Sequence, residues 1–441
     1  MTTNAKKTFS LDTLVSLCKR RGFVYQSNEI YGGLNGIYDT GPLGSLLKNN
    51  IRNAWKKNIE QFSDEIVYLE GALLGTKAMW EASGHISNFH DPMVDCKVCK
   101  HRYRADDIDL NRPCPHCGNT SWTDVREFNM MFSTQVGAAA DGSSIAYLRP
   151  ETAQSIFINF KNIYTSSRVK IPFGVAQIGK AFRNEITPKQ FLFRMREFEQ
   201  MEIEWFCTPD SAMKFFDEWR KHRFAFYESI GVNPAHVHMR DHEGTELSHY
   251  SKGTSDVEFD FPFGRKELEG IAYRGDFDLS QHMKFSGKDL SVFDEATKSS
   301  YVPHVVECSV GVDRLFLALL CEAYDEDTAD GEQRVVLRFA PHIAPITAAI
   351  FPLTKQQIEP AEALYKSLKK QGLHIDFDVS GSIGKRYRRQ DEIGTPVCFT
   401  VDFDTATDNC VTVRDRDTMK QERIPLDSVS TYLQNLLNHK S

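Results

Sequence analysis

The chain has 441 residues, of which 41% are hydrophobic and 26% are charged, and its formal net charge is −7. This length exceeds a single hydrophobic core, so two or three domains are expected, and the net charge excludes a uniformly basic surface for nucleic acid but not a local basic patch. No apolar run reaches membrane-spanning length, and the N-terminus has no apolar signal-peptide core, so we expect a cytoplasmic protein without membrane contact.

Two amphipathic helices separated by a loop are predicted first. The first helix covers residues 10–21, where apolar residues recur at helical spacing. A glycine-rich loop over residues 31–42 ends at Pro42, which suits the first turn of the second helix. The apolar stripe of the second helix fits either a core position or contact with another subunit, and both interpretations stay open.

Four cysteines stand in two close pairs, Cys96 with Cys99 and Cys114 with Cys117, and 14 residues separate the pairs. Thiolates paired in this way can form a closed tetrahedral site around zinc. Such a site is structural, because it leaves no open coordination position for catalysis. The sequence therefore predicts a zinc-ribbon-like insertion over residues 94–120, with four free thiols as the alternative.

The next predicted helix follows a break at Pro150 and has Glu151 in its first turn. A carboxylate at this position interacts favourably with the helix dipole. A surface glutamate is therefore the simplest interpretation, unless another feature of the chain recruits it.

An antiparallel hairpin is predicted over residues 175–206, because both flanks alternate and Pro188 interrupts them. Met195, Met201, Ile203 and Trp205 share the apolar face. The polar face carries Gln177, Arg183, Glu185, Arg196, Phe198, Gln200, Glu202 and Glu204. An antiparallel sheet needs only one dry face, so this polar face fits either solvent or a functional cavity.

Strand-like segments follow at residues 255–262, 267–276 and 305–308, and an apolar helix is predicted over 312–324. Arg314 lies in the first turn of that helix, where a cation opposes the helix dipole unless an anion lies beside it. The acidic, turn-rich segment 325–332 is interpreted as a domain boundary. Residues 333–441 then alternate strand and helix, beginning with a strand near residues 335–339, as a small α/β domain does.

A basic cluster in this last domain surrounds an aromatic residue. Lys385, Arg386, Arg388 and Arg389 lie on either side of Tyr387. Such a cluster fits either a solvated charge run or contact with the backbone and bases of RNA.

Several of these stretches together resemble the class II aminoacyl-tRNA synthetases, and among them the homodimeric glycyl-tRNA synthetases. The loop and helix at Pro42 resemble motif 1, residues 182–200 (FRNE to FEQ) resemble motif 2, and residues 311–315 (GVDRL) resemble motif 3. Residues 149–154 (RPETAQ) and 307–311 (ECSVG) are similar to the forms found in enzymes specific for glycine.

The resemblance implies an α+β fold in two units. Residues 1–332 would form a class II antiparallel sheet flanked by helices, with the zinc-ribbon-like insertion, and residues 333–441 an α/β anticodon-binding domain. The implied activity is ATP-dependent formation of glycyl-adenylate, followed by transfer of glycine to the 3′ end of tRNA-Gly. The implied partners are glycine, ATP with Mg2+, tRNA-Gly, a structural Zn2+ and a second copy of the chain.

The resemblance also implies roles for individual residues. Arg183, Arg314 and Glu307 would be catalytic, with Arg183 bridging the glycine carboxylate and the α-phosphate and Phe198 stacking on adenine. The glycine site would comprise Arg104, Glu151, Arg183, Phe198, Glu199, Gln200, Met201, Glu202, Glu307, Ser309 and Gly311. The ATP site would comprise Arg183, Asn184, Glu185, Phe193, Arg194, Met195, Arg196, Glu197, Phe198, Glu267, Leu268, Gly311, Val312, Asp313 and Arg314.

Three carboxylates of the implied glycine site, Glu151, Glu202 and Glu307, would surround the ammonium group. Their crowding should raise the pKa of at least one of them. Cys308 departs from the proline that many relatives have at this position, which would place a thiol near the glycine site.

Two alternatives remain at this point. One is an inactive synthetase-like accessory protein that binds nucleic acid, in which the loss of Arg183, Arg314 and the glycine-site acids would be expected. The other is a class II synthetase for another small amino acid, such as serine, proline or threonine.

Overall fold

The computed structural model of the chain describes residues 9–137, 144–242, 252–329 and 331–438. The first eight residues, which form part of the N-terminal segment considered above, lie outside the described residues. The helices are α1 (Leu11–Arg21), α2 (Pro42–Phe62), α3 (Lys77–Ala82), α4 (His85–Asn88), α5 (Ala153–Ser167), α6 (Ala212–Ser229), α7 (Phe277–Ser286), α8 (Val312–Ala323), α9 (Ile358–Lys369), α10 (Ile383–Ile393), α11 (Thr405–Asp408) and α12 (Val429–Asn438).

The strands are shorter and more numerous than the helices. They are β1 (Val24–Gln26), β2 (Tyr38–Thr40), β3 (Ile66–Tyr68), β4 (Leu74–Thr76), β5 (His90–Asp95), β6 (Arg102–Arg104), β7 (Arg126–Asn129), β8 (Ser133–Gln135), β9 (Ile145–Leu148), β10 (Phe173–Phe182), β11 (Glu197–Cys207), β12 (Val237–Asp241), β13 (Gly253–Phe261), β14 (Gly264–Gly275), β15 (Val292–Asp294), β16 (Ser299–Tyr301), β17 (His304–Gly311), β18 (Tyr324–Ala329), β19 (Glu332–Leu337), β20 (Ala348–Pro352), β21 (Ile375–Phe377), β22 (Val397–Val401), β23 (Cys410–Asp415) and β24 (Gln421–Pro425).

A seven-stranded sheet forms the centre of the larger unit, in the order β12-β13-β14-β17-β11-β10-β3. Neighbouring strands are antiparallel, except that the edge strand β3 runs parallel to β10. Side chains of α1, α2, α6 and α8 form a core with one face of this sheet, whereas α5 and α7 cover part of the other face. The prediction of an antiparallel sheet flanked by helices is confirmed.

The predicted hairpin is present as β10 and β11, but its strands are shorter than the alternation implied. β10 ends at Phe182 and β11 begins at Glu197, and a 3-10 turn occupies residues 191–193 between them. Gln190 and Phe191 have φ angles of 61° and 56°, a left-handed conformation that a strand does not contain. Arg183, Glu185 and Arg196 therefore lie on the loop and not on the strands.

The two N-terminal helices follow their sequence signals. The side chain of Ser10 caps α1, which ends at Gly22 in the left-handed conformation, and α2 begins at Pro42 as predicted.

Helix α5 begins at Ala153 with Thr152 as its N-cap. Glu151 therefore precedes the helix, and the prediction that it lies in the first helical turn is wrong.

The acidic segment 325–332 is not the turn-rich linker that its composition indicated. Its described residues belong to a hairpin of β18 and β19. Arg338 offsets the acids, because its guanidinium lies 2.8 Å from Asp325 and 2.6 Å from Asp327. The buried Arg334 also donates a hydrogen bond of 2.8 Å to the carbonyl of Arg416, which joins this hairpin to the C-terminal unit. The division between residues 332 and 333 falls inside β19 and stays a prediction.

The C-terminal unit contains a five-stranded sheet in the order β21-β20-β22-β23-β24. The first three strands are parallel and the remaining pairs antiparallel, which confirms the α/β prediction. Helices α9 and α12 pack on one face of this sheet. The strand predicted near residues 335–339 belongs to the β18–β19 hairpin and not to this sheet.

Within the described part of the chain, the helices are too short or too polar to span a bilayer.

Candidate active site

The floor of the candidate site is formed by the polar face of β11 and its neighbours. Gln200 lies opposite Gly179 of β10 and Gly311 of β17, and Glu202 lies opposite Gln177 and Ser309. Directly paired residues of antiparallel strands point to the same side of a sheet. Glu202 is only 2% exposed and Gln177 only 1%. The interpretation of this face as a solvated surface is therefore wrong.

A cavity of about 310 Å³ lies above this floor. Most of the residues assigned to glycine and ATP by resemblance line it, and three lining residues, Leu192, Gly270 and Arg274, were not predicted. Its lining comprises Glu151, Arg183, Glu185, Leu192, Phe193, Arg194, Met195, Phe198, Glu199, Gln200, Glu202, Glu267, Leu268, Gly270, Arg274, Glu307, Ser309, Gly311, Asp313 and Arg314.

Three carboxylates converge at one end of this cavity, and each is held by different donors. Glu202 accepts hydrogen bonds from Ser309 (2.7 Å) and from the amide of Thr152 (3.1 Å). Glu307 accepts one of 2.9 Å from Arg274. Glu151 lies 3.2 Å from Nε2 of His85 and accepts a bond of 3.0 Å from Gln154.

Burial and neighbouring charges raise the pKa values of two of these acids and lower that of the third. Burial raises the pKa of Glu202, and the charge of Glu151 raises it further. Burial raises the pKa of Glu307 to about 7 although Arg274 lowers it. Burial also acts on Glu151, but His85 and Arg274 hold its pKa below the usual value. The prediction that at least one of the three pKa values would be raised is confirmed.

Arg183 lines the cavity and contacts two aromatic rings. Its guanidinium carbon is 5.2 Å from the ring centroid of Phe198 and 5.4 Å from that of Phe89. Its Nε donates a hydrogen bond of 3.1 Å to the carbonyl of Pro150. The terminal nitrogens can therefore meet an anion while the rings and the carbonyl hold the guanidinium plane.

Arg314 closes the opposite end of the cavity. Its NH1 lies 3.2 Å from a carboxylate oxygen of Glu267, and its guanidinium carbon is 4.6 Å from the ring centroid of Phe193. Glu267 thus supplies the anion that an arginine in the first turn of α8 requires.

Two further predicted residues, Glu199 and Asp313, reach the cavity but have their carboxylates engaged by α2. Arg52 holds Glu199 through bonds of 2.9 and 2.6 Å. Lys48 pairs with Asp313, which also accepts a bond of 2.8 Å from the amide of Glu199. Helix α2 therefore supports the site strands from the core side, with Lys48 and Asp313 nearly buried.

Six predicted residues do not line the cavity: Arg104, Asn184, Arg196, Glu197, Met201 and Val312. Arg104 pairs instead with Asp91 at 3.1 Å, and Arg196 donates to the carbonyl of Glu185. Met201 and Val312 are fully buried in the apolar core. Met201 stands between the cavity-lining Gln200 and Glu202, and adjacent residues of a strand point to opposite faces.

Cys308 also faces the apolar core. Its neighbours Glu307 and Ser309 line the cavity, whereas Cys308 is 1% exposed on the opposite side of β17. The expectation of a thiol near the glycine site is therefore wrong, since adjacent residues of a strand point to opposite faces.

The two cysteine pairs meet in a small module on β5, β6 and β7, which form a three-stranded sheet. The Sγ atoms of Cys96, Cys99, Cys114 and Cys117 all lie within 4.8 Å of one another. Cys96 and Cys117 are 3.6 Å apart, and Cys99 and Cys114 are 3.7 Å apart. Zinc–sulfur bonds of about 2.3 Å in a tetrahedron place the sulfurs about 3.8 Å apart. The cluster is thus compatible with zinc.

The basic cluster on α10 is less accessible than its sequence indicated. Tyr387 is mostly buried, and its hydroxyl lies 2.7 Å from that of Thr400. Arg386 donates to the carbonyl of Pro352, and Arg389 pairs with Asp378. Lys385 is exposed, and it lines a groove of about 990 Å³ together with Arg388, Arg389 and Arg21.

Comparison with known proteins agrees with this geometry. The chain matches the model of the tRNA synthetase class II core domain (G, H, P, S and T) over residues 138–324 and the anticodon binding domain over residues 347–436. It is 51% identical to a glycine–tRNA ligase of Treponema denticola over 98% of both chains. The chain belongs to the glycine–tRNA ligase family.

Other relatives extend over the same length. A glycine–tRNA ligase of Caldanaerobacter subterraneus subsp. tengcongensis is 50% identical over 97% of this chain and 98% of its own. A prolyl-tRNA synthetase of Cryptosporidium parvum, solved with L-proline and AMP, has the same fold, with a TM-score of 0.68 and 16% identity over 99% of this chain and 77% of that chain. The class II fold with its anticodon-binding domain is therefore confirmed.

Three residues at or near the site, Arg274, His85 and Glu204, have no role predicted from the sequence. Arg274 follows a charged stretch of β14 and carried no motif. His85 precedes the cysteine module, and Glu204 was assigned to the polar face without a role. Glu204 lies two residues after Glu202 in β11, so strand periodicity could have placed both on one face. Only tertiary contacts bring His85 and Arg274 to the site.

Proposed function

We propose that the chain is a glycine–tRNA ligase that joins glycine to tRNA-Gly at the expense of ATP. The observation that carries the proposal is the convergence of Glu151, Glu202 and Glu307 beside Arg183 in one cavity. Free glycine offers one ammonium and one carboxylate group. The acids can bind the ammonium group and Arg183 the carboxylate, while Arg274 holds Glu307 from the side. Identity of 50% and 51% to glycine–tRNA ligases over nearly the whole chain supports the same substrate.

The first step joins two anions and requires charge neutralisation. A carboxylate oxygen of glycine attacks the α-phosphorus of ATP, the bond to the bridging oxygen breaks, and pyrophosphate leaves with the electron pair. We assign to Arg183 the bridge between the carboxylate and the α-phosphate, because its planar fork can bind both. The contribution of the protein is then positioning and electrostatic stabilisation of the transition state.

The remainder of the cavity accommodates the nucleotide in this proposal. Phe198 stacks on adenine, and Arg314 contacts the phosphate end from the other side. Mg2+ enters with ATP, and Glu267 is the acid that we assign to it, where the ion would neutralise phosphate charge. In the second step, the terminal hydroxyl of tRNA attacks the carbonyl carbon of the adenylate, the hydroxyl proton is released, and AMP leaves.

The remaining partners are also proposals. We assign a structural Zn2+ to the four cysteines, since their sulfur distances fit a tetrahedron. The C-terminal unit, residues 333–441, is assigned to the anticodon arm of tRNA. A homodimer in the cytoplasm is proposed from the resemblance to homodimeric members of the family.

The deciding experiment is pyrophosphate–ATP exchange with individual amino acids. Glycine is expected to support exchange, whereas alanine, serine, proline and threonine are expected to be at least about a hundredfold less effective. Exchange that depended on serine, proline or threonine would assign the chain to another amino acid. Absence of exchange with every amino acid would indicate an inactive accessory protein.

A further inference from the structure

A short segment that no motif includes packs against two residues that line the glycine end of the cavity. Residues 83–89 connect α3, α4 and β5. Two side chains of this segment, His85 and Phe89, contact Glu151 and Arg183, the residues assigned to the ammonium and carboxylate groups of glycine. We call residues 83–89 the wall segment.

His85 links a buried hydroxyl to the carboxylate of Glu151. Its Nε2 is 3.2 Å from Oε2 of Glu151, and its Nδ1 is 2.8 Å from the hydroxyl of Ser83. An ionised carboxylate only accepts hydrogen bonds, so Nε2 carries the hydrogen. The Ser83 hydroxyl can donate to Nδ1 of a neutral ring, or accept from a protonated ring while it donates to the carbonyl of Trp80 at 3.3 Å. In either state, His85 donates to Glu151.

The arrangement leaves Glu151 fixed but reachable. Oε2 is held by His85 and Oε1 by Gln154 at 3.0 Å, while the side chain remains 18% exposed towards the cavity. The edge of Trp80 packs against the imidazole with the ring centroids 5.2 Å apart. The imidazole is therefore restrained by packing on one side and by hydrogen bonds at both nitrogens.

Phe89 contacts Arg183, the residue assigned to the carboxylate group of glycine. Its ring centroid lies 5.4 Å from the guanidinium carbon of Arg183, and that of Phe198 lies 5.2 Å from the same atom. Contact with an aromatic ring restrains a guanidinium while its nitrogens can still bind anions. Phe198 comes from β11, whereas Phe89 comes from the wall segment.

We propose that His85 and Phe89 are positioning residues for glycine, with His85 orienting Glu151 for the ammonium group and Phe89 orienting Arg183 for the carboxylate. This inference rests on the proposed function. It assigns a role in amino-acid binding to a segment outside the three synthetase motifs. It also joins that segment to the cysteine module, since β5 begins directly after Phe89.

The test uses the full chain in glycine-dependent pyrophosphate–ATP exchange, with KM measured separately for glycine and ATP. His85→Ala is expected to raise the KM for glycine about tenfold, the usual effect of losing one hydrogen bond to a charged group. The KM for ATP should stay within about twofold. His85→Gln, whose amide can still donate to Glu151, is expected to recover most of the loss. Ser87→Ala, on the exposed side of α4, is the matched control.

Phe89 is tested in the same assay with a pair of variants. Phe89→Leu removes the ring but retains an apolar side chain, and kcat is expected to fall about fivefold because Arg183 loses one cation–π contact. Phe89→Tyr should retain near-normal kcat.

The outcomes separate this inference from the proposed function. Lack of glycine-dependent exchange in the unmodified chain would overturn both. Normal exchange with an unchanged KM for glycine in His85→Ala would overturn the positioning role alone. An equal rise in both KM values, shared by His85→Gln and accompanied by a lower melting temperature, would also overturn it, because that pattern reports loss of structure.

Discussion

Glu204 and Glu307 lie directly opposite each other on β11 and β17, at the buried end of the acidic site. Among the described residues, neither carboxyl oxygen of Glu204 has a hydrogen-bond partner, and its side chain is fully buried. Burial, followed by the charge of Glu307, raises the pKa of Glu204 well above its usual value. Glu204 is therefore expected to hold a proton in the folded protein, while Glu307 is paired with Arg274.

This proton makes stability depend on pH. Above the usual glutamate pKa, the unfolded chain releases a proton that folded Glu204 retains, so the free energy of unfolding falls as pH rises. Glu204→Gln removes the titrating carboxyl group, so this fall in the free energy of unfolding with rising pH should disappear in the variant. The advantage of the variant is expected to grow with pH by up to about 1.4 kcal/mol per unit. Urea unfolding at several pH values measures it, with the exposed Glu228→Gln as control. Parallel profiles of Glu204→Gln and the unmodified chain would contradict the assignment.

Glycine binding should depend on the ionisation of Glu307, whose pKa burial raises to about 7. Below that pH the carboxyl group is mostly protonated and attracts an ammonium group weakly. The KM for glycine is expected to fall towards a plateau as pH rises through this range, by up to about tenfold per unit on the acid side. Glu307→Gln should have a higher KM with little pH dependence. The KM for ATP is the internal control, and an equally flat glycine profile in the unmodified chain would count against this role.

Arg183 is expected to be indispensable for adenylate formation. Arg183→Ala should lower glycine-dependent exchange by at least about a hundredfold, the usual effect of removing a group that stabilises transition-state charge. Arg183→Lys retains charge but loses the fork and is expected to recover only part of the activity. Circular dichroism checks that both variants are folded. Near-normal exchange in Arg183→Ala would rule out the mechanism.

The four-cysteine cluster predicts one tightly bound zinc ion per chain. Metal analysis of the purified protein should find zinc, and Cys99→Ser should reduce its content and lower the melting temperature, because metal binding stabilises the folded module. Cys410→Ser alters a cysteine outside the cluster and should change neither quantity. Full stability without zinc would contradict the assignment.

The groove beside α10 is expected to act in RNA binding and not in activation. Lys385→Glu reverses an exposed charge in that groove and should raise the KM for tRNA several-fold while leaving amino-acid exchange unchanged, since phosphate contacts depend on charge. Lys370→Glu, an exposed lysine at the end of α9, is the matched control. Equal effects of the two variants would indicate a general electrostatic influence.

The elements that the sequence predicted well are those with a local cause. Ser10 and Pro42 mark helix starts. Alternation in β11 correctly placed Glu202 and the apolar Ile203 on different faces of the strand. The hairpin loop was misjudged because left-handed residues at 190 and 191 are not obvious from their types. The acidic segment at 325–332 was misjudged because the arginines that offset its charge follow it in the chain.

Residues of the site that belong to a sequence motif were predicted. Residues that only tertiary contacts bring to the site were not. Glu151, Glu202 and Glu307 meet as the resemblance implied. Arg274 and His85 are 123 and 66 residues from Glu151 in the chain (274 − 151 and 151 − 85), and no local pattern connects them. Burial of Tyr387 likewise depends on Thr400 and the sheet beneath it.

Adjacent residues of β11 point to the cavity and to the core, which limits the insertions and deletions that this strand can accept. Gln200 and Glu202 face the substrate cavity, whereas Met201 and Ile203 face the core, so deletion of one residue before them would turn Met201 and Ile203 towards the acidic site and Glu202 towards the apolar interior. Residues 186–190, in the loop that joins β10 to β11, line neither the substrate cavity nor the apolar core. Natural insertions and deletions in the hairpin should therefore accumulate in that five-residue segment, with β11 constant in length across descendants of this gene.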